Sequence, residues 1–296
     1  MNYRLQNSSF YSTSVGWIGV ALVVLFSGLP SVQSQQATTI LTTAQQEAKL
    51  ELDQAARDYR EGKFDEAQLH SERALALDPE NKSAPMFVAR TIHAQFKPGD
   101  FTPENIARGR DAIAAYKRIL SSNRLDDEAY KAIAYIYAML KEDELLRNWV
   151  LQRAADTSFD NERRSEAYVV LASKDWDCSF KFTELPAHKT TTVKDKNAFV
   201  EFHKSTDETE FENARQCALR GLEMADMAIT LKPDSESAWS YKTNVLLELS
   251  KFAEMSGDVQ QRAELQRQYE AALRETMRLS EAAREQTGKP RPKVIY

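Results

Sequence analysis

Apolar side chains recur along this chain at intervals of three and four, the spacing that gathers them on one face of an α-helix. Tyr130, Ile133, Ala134 and Tyr137 form one such set. Leu265, Tyr269, Ala272, Leu273, Thr276 and Met277, with charged residues between them, form another. Breaks in the pattern carry helix punctuation. Gly62 separates two helical runs, Pro79 and Pro233 follow others, and Thr102-Pro103-Glu104 offers a capping hydroxyl with a proline in the first helical turn. One stretch differs in kind: Val15 to Phe26 is almost wholly apolar and is followed by Ser27-Gly28-Leu29-Pro30.

The punctuated runs share an internal order. Tyr59-Arg60-Glu61-Gly62-Lys63-Phe64-Asp65-Glu66-Ala67 reads as helix, turn, helix and continues to Asp78-Pro79. Tyr130-x2-Ile133-Ala134-x2-Tyr137 sets an aromatic, an aliphatic, a small residue and a tyrosine on one face. Tyr168-x2-Leu171-Ala172 repeats it, with Asp175 in the tyrosine place, and Trp239 opens a copy in which Lys242 and Thr243 stand in for the aliphatic and small residues. Ala112-x3-Tyr116 and Gly221-x3-Ala225 supply small residues on second helices, and Ala228-x4-Pro233 repeats the spacing of Ala74-x4-Pro79. This set resembles the tetratricopeptide repeat (TPR), a unit of two antiparallel helices about 34 residues long.

The resemblance implies an all-α, right-handed superhelical stack of about five helix pairs, over residues 44–79, 83–122, 126–158, 162–232 and 235–286. Two insertions are expected, a loop near 97–102 and a long exposed excursion at 181–209, where Pro186 and the threonines at 190–192 argue against helix. The last helix is expected to cap the stack. In such stacks the first helices line a groove that takes protein or peptide segments. The face of those helices left unused by packing holds Met86, Arg90 and His93 in the second pair and Glu128, Lys131, Tyr135 and Ala138 in the third. Val169, Ser173 and Trp176 continue it in the fourth pair, and Ser240 and Asn244 in the fifth.

The apolar run after Arg4, ending in Val32-Gln33-Ser34, has the order of a secretory signal and predicts cleavage after Ser34. It falls short of the roughly 20 residues that span a hydrocarbon core, so a retained anchor is the alternative. The expected mature chain is periplasmic or secreted, with a flexible segment at 35–43, a helical domain at 44–286 and a disordered basic tail at 287–296. Nine glycines and nine prolines among 296 residues suit an all-α body. A net charge of −5 argues against nucleic acid as partner.

No glycine-rich phosphate loop, G-x-S-x-G, H-E-x-x-H or C-x-x-C occurs, so no catalytic residues and no cofactor are expected. Cys178, His188, His203 and Cys217 fall within 40 residues, but their intervals match no short-paired zinc spacing. A metal site or enzyme built on 178–217 is therefore the alternative to a binding scaffold. Cys178 lies late on the first helix of the fourth pair and Cys217 early on the second, so antiparallel packing would bring them together. In an oxidising compartment they would form a disulfide; two separate buried thiols are the other reading.

Overall fold

The computed structural model describes residues 41–194 and 197–287. The expected signal segment and most of the basic tail lie outside them. The described residues from Thr42 onward form one compact unit. It contains ten α-helices and a two-stranded hairpin: α1 (Thr43–Arg60), α2 (Phe64–Leu77), α3 (Ala84–Gln95), α4 (Pro103–Ser122), α5 (Asp127–Met139), α6 (Asp143–Ala155), α7 (Asn161–Thr183), β1 (Lys189–Lys194), β2 (Asn197–Phe202), α8 (Glu208–Leu231), α9 (Glu236–Met255) and α10 (Val259–Thr287). The helices form five antiparallel pairs, each stacked on the next, and first helices also meet directly, α1 with α3 and α7 with α9. The fold is an all-α, TPR-like stack.

Side-chain caps start many of the first helices. The Thr42 hydroxyl accepts from the Gln45 amide while the Gln45 side chain accepts from the Thr42 amide, closing a capping box. Asp126, Asp160 and Ser235 cap α5, α7 and α9 in the same sense. Three pairs share one turn. Gly62, Lys141 and Gly257 stand in the left-handed region, and the amides of Lys63, Glu142 and Asp258 bond the carbonyls of Asp58, Tyr137 and Ala253 at 2.9, 3.0 and 2.9 Å. This arrangement satisfies carbonyls that the helix end would otherwise leave bare. Thr102 does not cap α4, contrary to the sequence expectation. The buried Asn105 holds that loop instead, donating to the Lys97 and Asp100 carbonyls and accepting from the Lys97 amide.

Small residues let the helices approach. Ala67, Ala74, Ala112, Ala154, Ala172, Ala225 and Ala228 are fully enclosed, with Tyr116, Ile133, Ile136 and Leu171 filling the space between pairs. A second cluster, centred on Phe182, Phe211 and Phe252, joins α7, α8 and α9. The ring centroids lie 5.4 to 6.2 Å apart, the range in which aromatic pairs attract.

The insertion expected at 181–209 is largely exposed, as expected, but it is a hairpin bounded by the helices that end at Thr183 and begin at Glu208. Helix α7 continues through Thr183, a 3-10 turn covers Pro186–His188, and β1 pairs antiparallel with β2 from Lys189↔Phe202 to Lys194↔Asn197. The β-branched threonines suit a strand, and Pro186 ends the helical course. The hairpin is docked on α9. The Phe202 amide donates to Glu254 at 3.2 Å, and the half-buried Phe202 ring lies 5.1 Å from Lys251 Nζ. Below it runs a buried polar chain. Glu248, 1% exposed, accepts from the Thr183 hydroxyl at 2.5 Å and from Lys251 at 2.8 Å. Lys251 also reaches Glu184 at 3.1 Å, and Glu184 pairs with Lys189 at the foot of β1. A buried charge is tolerable only when paired and hydrogen-bonded, which these groups achieve jointly.

Candidate partner-binding site

The first three pairs leave a hollow of about 670 Å3 between α1, α3, α4 and α5. Helix α3 contributes Arg90, His93 and Ala94, and α5 contributes Glu128, Lys131, Ala132 and Tyr135. Tyr59 from the end of α1, Phe96 and Pro98 from the loop, and Tyr116 from α4 complete the wall. A second hollow of about 150 Å3 shares Tyr59 and Arg90 and reaches Phe87, Ala56 and Arg60.

Its walls are aromatic and its rim is charged. The His93 ring meets Tyr116 at 90° with centroids 5.8 Å apart and lies 5.7 Å from Tyr135. Tyr135 is 45% exposed, so its face is open to a ligand. Burial pushes the His93 imidazole below its ordinary value and the Tyr116 phenol above its own. Both are neutral near pH 7, and the phenol oxygen lies within hydrogen-bond distance of Nδ1, at 3.2 Å. Arg90 is locked by a fork: Nε and Nη2 each donate to a Glu128 oxygen at 2.5 Å, which raises the guanidinium further above its usual range. The fork ties α3 to α5 beside the cavity. Lys131 stands 65% exposed with Glu166 of α7 at 4.0 Å, too loose to neutralise it.

Five of the residues expected on the unused faces, Arg90, His93, Glu128, Lys131 and Tyr135, line this one cavity. The others lie elsewhere. Met86 and Val169 are half-buried against the core, and Ala138 packs there too. The Ser173 hydroxyl bonds the Val170 carbonyl of its own helix. Trp176 packs on Phe180 and Tyr241, with centroids 4.9 and 6.1 Å away, and Ser240 and Asn244 are half-buried on α9. Helix periodicity did not point to Tyr59, Phe96 or Pro98, because they stand at element ends where turn and loop geometry set the direction. Tyr116 carried a signal, as the aromatic partner of Ala112, but one for packing.

Cys178 and Cys217 are joined by a disulfide, with Cα atoms 6.0 Å apart. His188 Nδ1 lies 2.9 Å from the Phe182 carbonyl, and His203 Nε2 lies 2.8 Å from the Thr190 hydroxyl. The two sulfurs are thus bonded to each other and the two rings are engaged locally. Among the described residues no three His, Cys, Asp or Glu side chains gather as a metal site, and no helix is long and apolar enough to cross a membrane.

No family model matches the chain, and no curated protein matches it. Solved structures do align with it. A crystal structure of MamA protein matches at 14% identity over 85% of this chain and 99% of its own length, with a TM-score of 0.38. A MamA RS-1 ArsTM double mutant matches at 13% identity over 80% and 96%, with a TM-score of 0.39. YrrB, described as a TPR protein with an unusual peptide-binding site, matches at 11% identity over 74% and 92%, with a TM-score of 0.34.

Proposed function

We propose that this protein is a scaffold that holds a segment of another protein in the hollow between α1, α3 and α5. The observation that carries this reading is the convergence of Tyr59, His93, Tyr116 and Tyr135 on one open cavity with Arg90, Glu128 and Lys131 at its edge. Aromatic and arginine side chains dominate binding energy at protein interfaces, and a rigid helical scaffold presents them at little entropic cost. Neutral His93 and Tyr116 favour an apolar or aromatic side chain in the depth of the hollow. Lys131 at the rim favours an acidic residue of the bound segment beside it. A photo-crosslinking residue at position 135 should attach to one defined segment of a partner, and Arg90→Ala with Lys131→Ala should abolish the attachment. Equal labelling from the exposed Leu247 on α9 would show that the cavity is not the binding surface.

We also propose that the chain works outside the cytoplasm, in the periplasm or as a secreted protein, after removal of residues 1–34. The order of the N-terminal residues supports this, and so does the disulfide, since such bonds persist in oxidising compartments. N-terminal sequencing of the exported protein tests it: a chain beginning at Gln35 is expected, and one retaining the apolar run would make it membrane-anchored.

A further inference from the structure

A second cavity, about 320 Å3, opens where α6, α7 and α8 meet, and the Cys178–Cys217 disulfide forms part of its wall. The two halves of the bond are unequally placed. Cys178 is exposed, whereas Cys217 is only 6% exposed. Beside the buried sulfur stands a cation: Arg220 Nη2 donates to Cys217 Sγ at 3.2 Å. Arg220 also lies 3.4 Å from Asp175, but that buried carboxylate is held more closely by Arg147, at 3.0 Å from both oxygens. Two arginines thus share one carboxylate, and Arg220, the less closely held of them, stands next to Cys217. The same cavity is also lined by Lys174 and Asp143 and by the ion pair of Lys181 with Asp177.

Thiol–disulfide exchange asks for this arrangement. The attacking thiolate needs access to one sulfur, and the other sulfur leaves faster when its thiolate is stabilised. We propose that the cavity is a site of thiol–disulfide exchange with a small thiol. The incoming thiolate bonds to Cys178 Sγ, the Cys178–Cys217 bond breaks, and its electron pair remains on Cys217 Sγ as a thiolate facing Arg220. The product is a mixed disulfide on Cys178. Attack on it by a second thiolate releases the small disulfide and leaves two protein thiolates, so the protein bond is reduced and two small thiols are oxidised. The helices stay packed throughout. Gly221 of α8 lies so close to α7 and α9 that an added Cβ would fall 3.3 Å from Asp175 Cβ and 3.1 Å from Val245 Cγ2. Ala172 and Ala218 are also fully enclosed, so this interface is close-packed as well as bridged.

Reduced glutathione is the probe. The oxidised full-length protein is incubated with it under native conditions, quenched with acid, alkylated and mapped by mass spectrometry. Glutathione is expected on Cys178 and the alkyl group on Cys217, with the helical circular dichroism unchanged. Arg220→Gln should slow the first step by about threefold or more, and Arg220→Lys should restore part of the rate. Arg215→Gln, which removes a cation paired with Glu212 on the same helix, should leave the rate as it was. Glutathione mainly or equally on Cys217, an unchanged rate in Arg220→Gln, or exchange only in denaturant would each overturn the proposal.

Discussion

The first-helix face is open in one part of the stack and covered in another. Between α1, α3 and α5 it forms an aromatic hollow with Tyr135 open to solvent. The C-terminal end of α9 is covered by the β1–β2 hairpin, held by the Glu254 bond to the Phe202 amide and seated beside the buried Thr183–Glu248–Lys251–Glu184 chain. Both parts are made of the same helix pair, with enclosed alanines at the crossings and the same left-handed turn. The difference shows that the repeat specifies packing alone. What the remaining face does is decided by side chains and insertions that the packing leaves free.

The largest effect should come from breaking the covered part. Glu248→Ala leaves the buried Lys251 with Glu184 as its one remaining carboxylate partner and should cost about 3–5 kcal/mol in urea unfolding, while Glu248→Met with Lys251→Met should cost far less. Near equality of the two would mean that the chain acts by shape and not by charge. Cys178→Ser with Cys217→Ser should lower stability by about 3 kcal/mol, because the bond closes a 39-residue separation between α7 and α8. The same urea titration measures it, and a change below about 1 kcal/mol would show that the unfolded chain keeps residual structure between these two segments.

In the open part the expected effects shift from stability to binding. Arg90→Ala with Tyr135→Ala should change unfolding by no more than about 0.5–1 kcal/mol, since both residues are largely exposed, while weakening partner affinity by about tenfold or more in titration calorimetry. The shared turn provides the control across both parts. Gly62→Ala and Gly257→Ala force the same left-handed strain and should each cost about 1–2 kcal/mol. Unequal costs would show that the two turns are not equivalent.

The smallest effect is a pH dependence confined to the hollow. The folded pKa of His93 is depressed by burial, so the unfolded chain binds a proton first as pH falls. Stability attached to His93 is therefore complete above the ordinary value of about 6.5. It declines below that value and levels off once the folded imidazole also titrates. His93→Phe should flatten this part of a stability–pH profile, and an unaltered profile would place the titration elsewhere.

How far the sequence reached depended on whether a signal was local. Helix pairing was legible from Tyr130, Ile133 and Tyr137, from Gly62 and from the prolines that follow α2 and α8, because helix periodicity and turn chemistry act over a few residues. Asp175 in the tyrosine place read as a departure from the repeat; in the fold it is a buried carboxylate held by Arg147 and Arg220, residues 28 and 45 positions away. The insertion was legible as exposed and non-helical, but its pairing as a hairpin was not, because a single strand has no stability of its own and Lys251 and Glu254, which hold Phe202, come from another helix.

The sequence by itself determined the helical pairs and the unused positions Arg90, His93, Lys131 and Tyr135. Only the tertiary structure decided that these four share one cavity with Tyr59 and Tyr116, that Arg90 is spent on Glu128, and that the sulfurs of Cys178 and Cys217 sit unequally around Arg220. Periodicity fixes which side of a helix a residue occupies, but the depth and neighbours of that side depend on how far adjacent pairs are held apart, which is settled by side-chain volumes packed across the whole stack.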